Sequence, residues 1–264
     1  MGSLVAALGS FLDARSSEGK WHLRIDDIDP PRHDKNSFES IPLCLDTHGL
    51  IWDGPIILQS QRREAHEDAL SKMRDAGHLF DCLCTRATLG ELGSCASDCR
   101  DRKDIEGSVR FQLPNDAPTL PNDLFLGEHY ASSLPNNFIV KRRDGLIAYQ
   151  LATAVDDIDE GYTHVIRGSD LLESSLRQIM IHKALGCPSP EYGHLPIVTD
   201  RLGNKLSKQT GALAVDNDTP SANLRHALAF LGQPSPPKGM DCVDDILHYA
   251  IINWQRDALN EKSL

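Results

Sequence analysis

The sequence has no hydrophobic run long enough to cross a lipid bilayer. The apolar stretch LVAALGSFL (residues 4–12) is far shorter than the roughly 20 residues that a transmembrane helix needs, and Asp13 and Arg15 follow it directly. No basic segment precedes the stretch, so it does not have the form of an export signal. Its apolar spacing instead predicts a buried amphipathic helix. We expect a cytoplasmic protein with no membrane partner.

Positive charge is also scarce, since 27 Lys and Arg face 38 Asp and Glu, for a net charge of −11. This balance argues against nonspecific coating of a polyanion. It is compatible with a local basic patch for RNA, because binding depends on the field at one face. Internal repeats and low-complexity tracts are absent too. The 264 residues, 40% of them hydrophobic, suffice for one large domain or two small ones.

Strand-like and helical patterns alternate along the chain, which predicts an α/β layered fold with parallel strands. The predicted helices are 3–15, 37–49, 60–76, 169–186, 219–232 and 241–259. The predicted strands are 20–25, 137–142, 163–168 and 194–200, with the shorter strands SVRFQL and LFLGEHY between 78 and 136. The stretch AYQLATAVDD fits a helix and a strand equally well. DDIDE (156–160) is predicted to be a solvated acidic turn, and His182 and His194 to be structural groups.

Four cysteines lie within 18 residues, at Cys82, Cys84, Cys95 and Cys99. Four thiolates at this spacing suit a tetrahedral structural Zn²⁺, and a closed four-sulfur site leaves no coordination position for catalysis. Reduced, unligated thiols are the alternative. The odd total of seven cysteines and the lack of an export signal favour a reducing cytosol over disulfides.

The segment GNKLSKQTGA (203–212) places Lys205 and Lys208 on either side of Leu-Ser, between glycines. Two cations so close favour a polyanion between them, such as a nucleoside triphosphate, although a solvated surface turn would give the same pattern. Asp26, Asp27 and Asp29 crowd four positions after a predicted strand. They are either a polar loop or a site for a ligand ammonium group.

These segments together resemble the glutamyl branch of the class I aminoacyl-tRNA synthetases. KLSKQ resembles the KMSKS signature, LRIDDIDPPR the Arg-Ile-Glu-Asp-x-Asp-Pro-x-Arg signature, and GSLVAALGSFLDAR the helix after the HIGH-type motif. HGLIWDGPIILQSQR and IRGSDLLESSLRQIMIHKALG match the branch as well, in the same order. The chain ends about 55 residues after Lys208, too soon for an anticodon-binding domain. This length and the cysteine cluster resemble the paralogues that attach glutamate to queuosine in tRNA(Asp).

The resemblance implies a Rossmann-like nucleotide-binding fold of the HUP type, with a small zinc-binding insertion and C-terminal helices. It implies a first half at 1–77, the insertion at 78–136, a second half at 137–200, and the KMSKS-like loop with C-terminal helices at 201–264. The implied partners are ATP with Mg²⁺, L-glutamate and queuosine-carrying tRNA(Asp), and we expect a monomer.

The resemblance also assigns residues. Lys205 and Lys208 would act on the phosphates, Gly2, Ser3 and Lys208 would bind ATP, and Zn²⁺ would be structural. A second implied set, Asp26, Tyr149 and Arg167, would bind glutamate, with Asp26 standing where the family usually has Glu.

Relatives begin with a strand and loop that run into a His-x-Gly motif, whereas this sequence begins at Met1-Gly2-Ser3. The resemblance therefore implies that the first, central strand is missing, that two strand edges are exposed, and that the chain as given has little adenylation activity. A sequence record that starts too late and a degenerate paralogue both fit. Two other functions fit as well: a truncated glutamyl-tRNA synthetase, and a non-catalytic, zinc-stabilised tRNA-binding module.

Overall fold

The computed structural model describes residues 1–29, 36–85, 87–89, 95, 98–101, 106–114, 122–127, 136–198 and 215–260. The helices are α1 (Gly2–Ser16), α2 (Ser37–Thr47), α3 (Arg63–Asp75), α4 (Tyr149–Asp159), α5 (Leu172–Ala184), α6 (Pro220–Phe230), α7 (Val243–Ile252) and α8 (Asp257–Asn260). The strands are β1 (Arg24–Ile25), β2 (Ile57–Leu58), β3 (Leu79–Cys82), β4 (Ser108–Phe111), β5 (Phe138–Lys141), β6 (His164–Gly168) and β7 (Glu191–Leu195). Lys205 and Lys208 lie outside the described residues.

Two pairs of parallel strands confirm the predicted α/β architecture. Strand β1 pairs with β2, β6 pairs with β7, and a helix lies between the two strands of each pair along the chain. A separate antiparallel sheet, β3–β4–β5, starts in the predicted insertion and ends just after it. This sheet sits beside the cysteine cluster, since Cys82 is the last residue of β3.

The two parallel pairs face each other across a groove of about 690 Å³. The carbonyl of Leu23 binds the Ile57 amide and that of Thr163 binds the Glu191 amide, so these groups point toward β2 and β7. Backbone groups alternate in direction along a strand. Those of Arg24, His164 and Ile166, which line the groove, therefore point into it. Among the described residues, no strand pairs with these two edges, which form the walls of the groove.

Helix α1 packs on the β6–β7 pair through its small residues. A Cβ at Gly9 would lie 2.6 Å from Cδ1 of Leu195, so only glycine permits this close approach. Leu8 and Leu12 are fully buried in the same core, which extends to α6 and α7. A second core lies between α3, α4, α5 and the antiparallel sheet. Because one face of α1 is buried in this core, the N-terminus of the helix has a fixed position relative to β6 and β7.

Several predicted elements differ in their bounds. Strand β7 ends at Leu195, well short of residue 200, and Pro196 has no N–H to continue the ladder. The ambiguous AYQLATAVDD forms α4. The predicted helix 241–259 is interrupted after Ile252, where the Asn253 side chain donates to the Tyr249 carbonyl at 2.8 Å. The described part of LFLGEHY is a turn, closed by a bridge between Asp123 and Gly127.

No helix in the described ranges combines the length and the apolar character needed to span a bilayer. The proposed division of the chain into four segments stays a prediction.

Candidate functional site

The fold brings together two of the three predicted glutamate-binding residues at the carboxyl end of β6. Arg167 lies near the end of β6 and is buried, and Tyr149 is the first residue of α4. Nη1 of Arg167 is 3.5 Å from the Tyr149 hydroxyl, a limiting contact. The guanidinium carbon lies 5.0 Å from the centre of the Tyr192 ring, within cation–π range. Arg167 is thus held between two tyrosines.

The third predicted residue, Asp26, connects with this group through Arg24. Arg24 donates from Nε to Asp26 at 2.9 Å and from Nη1 to Asp157 at 2.8 Å. Burial alone would lower the pKa of Arg24, but the two carboxylates outweigh it and raise the pKa. Burial raises the pKa of Asp157, against the opposing charges of Arg24 and Arg167. Asp26 is exposed and Asp157 is buried, so one carboxylate lies at the rim and one at the base of the pocket around Arg24 and Arg167.

Three buried polar atoms in this group have no hydrogen-bond partner among the described residues: Nε of Arg167, Oδ2 of Asp157 and the hydroxyl of Tyr192. Buried polar groups in native proteins are nearly always paired with protein, water or ligand. A cationic donor and an anionic acceptor left together suit a ligand that carries both an anionic and a cationic group. An amino acid has that chemistry.

A buried hydrogen-bond chain runs from Arg167 to the turn at 122–127. Nη2 of Arg167 donates to Oγ of Ser175 at 2.6 Å, and Oγ lies 2.7 Å from Nε2 of His194. Nδ1 of His194 is 2.5 Å from Oδ2 of Asp123. The prediction that His194 is a structural group with satisfied hydrogen bonds agrees with these contacts.

The predicted ATP residues Gly2 and Ser3 form the first turn of α1. A helix N-terminus offers unpaired amides and a partial positive charge to an anion. A Cβ added at Gly2 would lie 3.9 Å from Cβ of Val198, the last described residue before the lysine segment. The start of α1 and Val198 are therefore neighbours.

The four clustered cysteines form a geometry that fits zinc. Their Sγ atoms all lie within 4.8 Å of one another. The separation is 3.6 Å between Cys82 and Cys95, 3.6 Å between Cys84 and Cys95, and 3.9 Å between Cys84 and Cys99. Zn–S bonds of about 2.3 Å in a tetrahedron require S–S separations of about 3.8 Å. The four thiols could hold one Zn²⁺ with only small adjustments.

The prediction of a solvated turn at DDIDE is wrong. Asp156 and Asp157 are buried in α4. Asp156 accepts hydrogen bonds from Gln59 and Arg62, and His66 lies 2.8 Å away. Burial opposes ionisation of Asp156, but these contacts prevail and its pKa is lowered.

Sequence reasoning also missed the roles of Arg24, Asp157, Ser175 and Tyr192. One signal was present for Asp157. In a helix, residues eight apart lie about two turns apart on the same side, so a helical assignment of AYQLATAVDD would have placed Asp157 on the same side of the helix as Tyr149. The other residues come from separate strands and helices, and no local pattern marks them.

The sequence matches the family model for the catalytic domain of class I tRNA synthetases (E and Q), over residues 1–103 and 92–234. Curated relatives described as glutamyl-Q tRNA(Asp) synthetase match nearly all of the chain. That of Yersinia pseudotuberculosis is 43% identical, over 96% of this chain and 78% of its own length. That of Vibrio vulnificus is 39% identical, over 98% and 87%. That of Citrobacter koseri is 40% identical, over 99% and 90%.

Two solved glutamate-tRNA synthetases share the fold. That of Elizabethkingia anophelis superposes with a TM-score of 0.76 at 22% identity, covering 98% of this chain and 64% of the solved chain. That of Elizabethkingia meningosepticum, solved in complex with its amino acid, has a TM-score of 0.75 at 21% identity, covering 98% and 62%. At these identities the comparison establishes the fold, a class I synthetase catalytic domain.

Proposed function

We propose that this chain, which belongs to the glutamyl-Q tRNA(Asp) synthetase family of class I tRNA synthetases, activates L-glutamate with ATP. It then transfers the glutamate to queuosine at the wobble position of tRNA(Asp). The chain is a ligase-type synthetase paralogue. In the proposed reaction the α-carboxylate of glutamate attacks the α-phosphate of ATP. The products are glutamyl-adenylate and pyrophosphate, and this step needs no tRNA.

The observation that carries the proposal is the buried Arg167, whose Nε has no hydrogen-bond partner in the described part of the chain. A guanidinium can bind a carboxylate through two parallel N–H bonds. Tyr192 packs against one face of the cation, and the Tyr149 hydroxyl lies at its edge. We assign Arg167 and Tyr149 to the γ-carboxylate of glutamate. A neutral side chain such as that of glutamine would leave the arginine charge unpaired, which favours glutamate.

Asp26 is assigned to the α-ammonium group. Its carboxylate is exposed and is oriented by Arg24. Because Asp157 also binds Arg24 and is itself buried, the Arg24 side chain is fixed at both ends of its guanidinium. An aspartate is one methylene shorter than the glutamate usual in this family, and Arg24 can hold the shorter carboxylate in place.

The phosphates of ATP are assigned to the start of α1, at Gly2 and Ser3, and to Lys205 and Lys208. Charge builds up on the pyrophosphate as the bond to the α-phosphate breaks. Lysine ammonium groups and helix amides stabilise that charge without accepting a proton. Mg²⁺ would enter with ATP as part of the substrate. The adenylate is a mixed anhydride, so the queuosine hydroxyl can displace AMP without an enzyme nucleophile.

The Cys82, Cys84, Cys95 and Cys99 set is assigned to one structural Zn²⁺. When bound, the metal would cross-link the end of β3 to the segment around the 98–101 turn. No step of the reaction runs through it.

Calorimetry tests the proposal by comparing how tightly glutamate binds to the 264-residue chain and to its Arg167→Lys variant. Lysine keeps the charge but loses the fork of donors, so we expect binding to weaken by about 10- to 100-fold. The matched control is Arg74→Lys, which changes an exposed arginine paired with Asp81 and should leave the affinity unchanged. L-Glutamine should not compete.

Product formation tests the acceptor. Any radiolabelled glutamate that the chain transfers in the presence of ATP, even at the low rate expected of it, should appear on tRNA(Asp) that carries queuosine and not on tRNA(Asp) with guanosine at that position. Loss of both glutamate binding and transfer would overturn the proposal. Two results would favour a non-catalytic tRNA-binding module. The chain would bind tRNA without forming any ATP-dependent product, and Lys208→Ala would leave that tRNA binding unchanged.

A further inference from the structure

We infer that Asp123, His194 and Ser175 form a positioning relay that fixes the guanidinium of Arg167 for its carboxylate ligand. The three residues come from the 122–127 turn, from β7 and from α5, and all are buried. Each contact between them, and the contact of Ser175 with Arg167, is 2.7 Å or shorter. The inference rests on the proposed function only where it names that ligand as glutamate.

The available protons determine which group donates and which accepts in each hydrogen bond of the relay. A carboxylate only accepts, so Nδ1 of His194 carries the proton donated to Asp123. Nε2 of a neutral imidazole is then an acceptor, and it takes the single hydroxyl proton of Ser175. The hydroxyl oxygen keeps its lone pairs for Nη2 of Arg167. The alternative acceptor of the hydroxyl, the Leu171 carbonyl, is farther away at 3.3 Å.

Asp123 is itself held rigidly, so it can fix the imidazole. Its Oδ1 accepts from the backbone amides of Phe125 and Leu126 at 3.0 Å and of His194 at 3.1 Å. Phe125 is fully buried against β7, where a Cβ at Gly193 would lie 2.7 Å from its ring. Burial opposes ionisation of Asp123, but the hydrogen bonds from His194 and Phe125 lower its pKa overall. The carboxylate therefore stays charged and in place.

The relay determines which donors of Arg167 remain for a ligand. Ser175 accepts a hydrogen bond from Nη2, Tyr192 covers one face of the guanidinium, and no described residue accepts a hydrogen bond from Nε. An arginine that is already in its binding rotamer loses less conformational entropy when the ligand arrives. The relay also ties the pocket to the 122–127 turn, far along the chain from β6. Ser175, His194 and Asp123 are thus positioning residues and need not touch glutamate.

The first experiment removes the hydroxyl that holds Arg167. Ser175→Ala should weaken glutamate binding, or raise the KM for glutamate, by about tenfold, the effect of one hydrogen bond to a charged group. The KM for ATP should stay unchanged. The matched control is Ser174→Ala, which removes the neighbouring hydroxyl that binds Gln150 instead of Arg167. Ser174→Ala should leave glutamate affinity within about twofold, because the Arg167 guanidinium keeps its hydrogen bond to Ser175.

A double-mutant cycle separates positioning from general destabilisation. If Ser175 acts through Arg167, Ser175→Ala should cost almost nothing further in an Arg167→Lys background. Additive losses in the double variant would overturn the relay, because they would show that Ser175 acts independently of Arg167.

The second experiment reverses the tautomer of His194. Asp123→Asn keeps an oxygen for the backbone amides of the turn but presents an amide N–H to Nδ1. The imidazole proton should then move to Nε2, which is visible in the ¹⁵N chemical shifts of the ring. Nε2 would compete with Arg167 for the oxygen of Ser175, so glutamate binding should weaken although the variant remains folded. An unchanged tautomer, or a reversed tautomer with full affinity, would contradict the relay.

Different results would overturn the proposed function and the positioning relay. A wild-type chain that binds no glutamate overturns the proposed function. The relay is still tested in that case, by the NMR signal of the Arg167 Nε–H without ligand. That proton should exchange slowly in wild type and in Ser174→Ala, and about tenfold faster in Ser175→Ala, where the guanidinium is released. Equal exchange in all three proteins would overturn the relay.

Discussion

At the scale of the residue, the pocket depends on buried charges that hold one another. Asp157, Arg24 and Asp26 form one chain of ion pairs, and Arg167 lies close enough to Asp157 to oppose the effect of burial on its pKa. Removal of one partner from a buried pair leaves an uncompensated charge, which is costly. Burial likewise opposes the charging of a titratable group that is neutral in the folded core.

His182 is such a group, and it predicts a pH dependence of stability. It lies on α5, where one ring nitrogen contacts the Ala154 carbonyl and the other the Ser189 hydroxyl. Burial lowers its pKa to about 4, although the Ala154 contact opposes the shift. An unfolded histidine has a pKa of about 6.5, so between these values the unfolded state binds a proton that the folded state refuses. Stability is therefore lost as the pH falls from 6.5 to 4, by up to about 3 kcal/mol.

Urea unfolding at several pH values checks this. His182→Gln should be less stable than wild type at pH 7, but it should lose less stability between pH 6.5 and 4. His226→Gln, at an exposed position on α6, should follow the wild-type profile. Parallel pH profiles of wild type and His182→Gln would show that His182 is not responsible.

At the scale of the element, the antiparallel sheet β3–β4–β5 packs on the second core through β4 and β5, but the end of β3 lies in the cysteine cluster. The hydrophobic cluster around the four thiols is small, with Phe80 beside Cys82 and Cys99. Gly107 packs so closely on this corner that a Cβ there would lie 2.3 Å from the Cys82 carbonyl oxygen. Because this corner buries little apolar surface of its own, we expect a bound metal to supply much of its stability.

Substitution of one ligand tests the zinc assignment. We expect one Zn²⁺ per chain by atomic emission, and Cys82→Ser should reduce this to a small fraction. The variant should unfold its antiparallel sheet at a lower temperature, with a loss on the order of several kcal/mol. Cys242→Ser, at an exposed thiol before α7, is the control and should retain the metal. Full zinc content in Cys82→Ser would rule out this ligand set.

At the scale of the whole molecule, the notable feature is the groove between the two parallel strand pairs. Helix α1 and the cores beneath it hold β1–β2 and β6–β7 side by side. The backbone groups of Arg24, His164 and Ile166 face the space between the pairs. Unpaired strand edges are sites where further backbone can add.

Hydrogen exchange should therefore alternate along β1 and β6. The amides of Ile25, Val165 and Arg167 point to a paired strand and should be protected. Those of Arg24, His164 and Ile166 should exchange about 10- to 100-fold faster, as expected of exposed backbone bonds compared with core bonds. Exchange resolved to single residues by NMR measures this. Equal protection on both sides would show that a backbone partner fills the groove.

The order of the helices was largely predictable from sequence, because apolar periodicity and helix-stop residues are local signals, whereas strands β2 and β3 were not predicted. Gly186 follows α5 and Pro196 follows β7, and each marks an end. The bounds of β7 and of the C-terminal helices were less accurate, because contacts with distant segments act together with the local signals. Strand β7 pairs with β6, and Trp254 and Arg256 bind Asp13 just after α7 ends. Asp156 and Asp157 were misassigned for the same reason: their burial depends on Arg24, Arg62 and His66, which lie far away in sequence.

The sequence by itself determined the family, the α/β class and the four metal-ligand candidates, because signatures, periodicity and cysteine spacing are written within short segments. Only the tertiary structure decided which side chains surround Arg167. Asp157, Ser175, Tyr192 and His194 approach it from α4, α5 and β7, and Asp123 from a separate turn. Charge pairing and burial between such segments depend on distances in space, and the chain acquires those only when the elements pack.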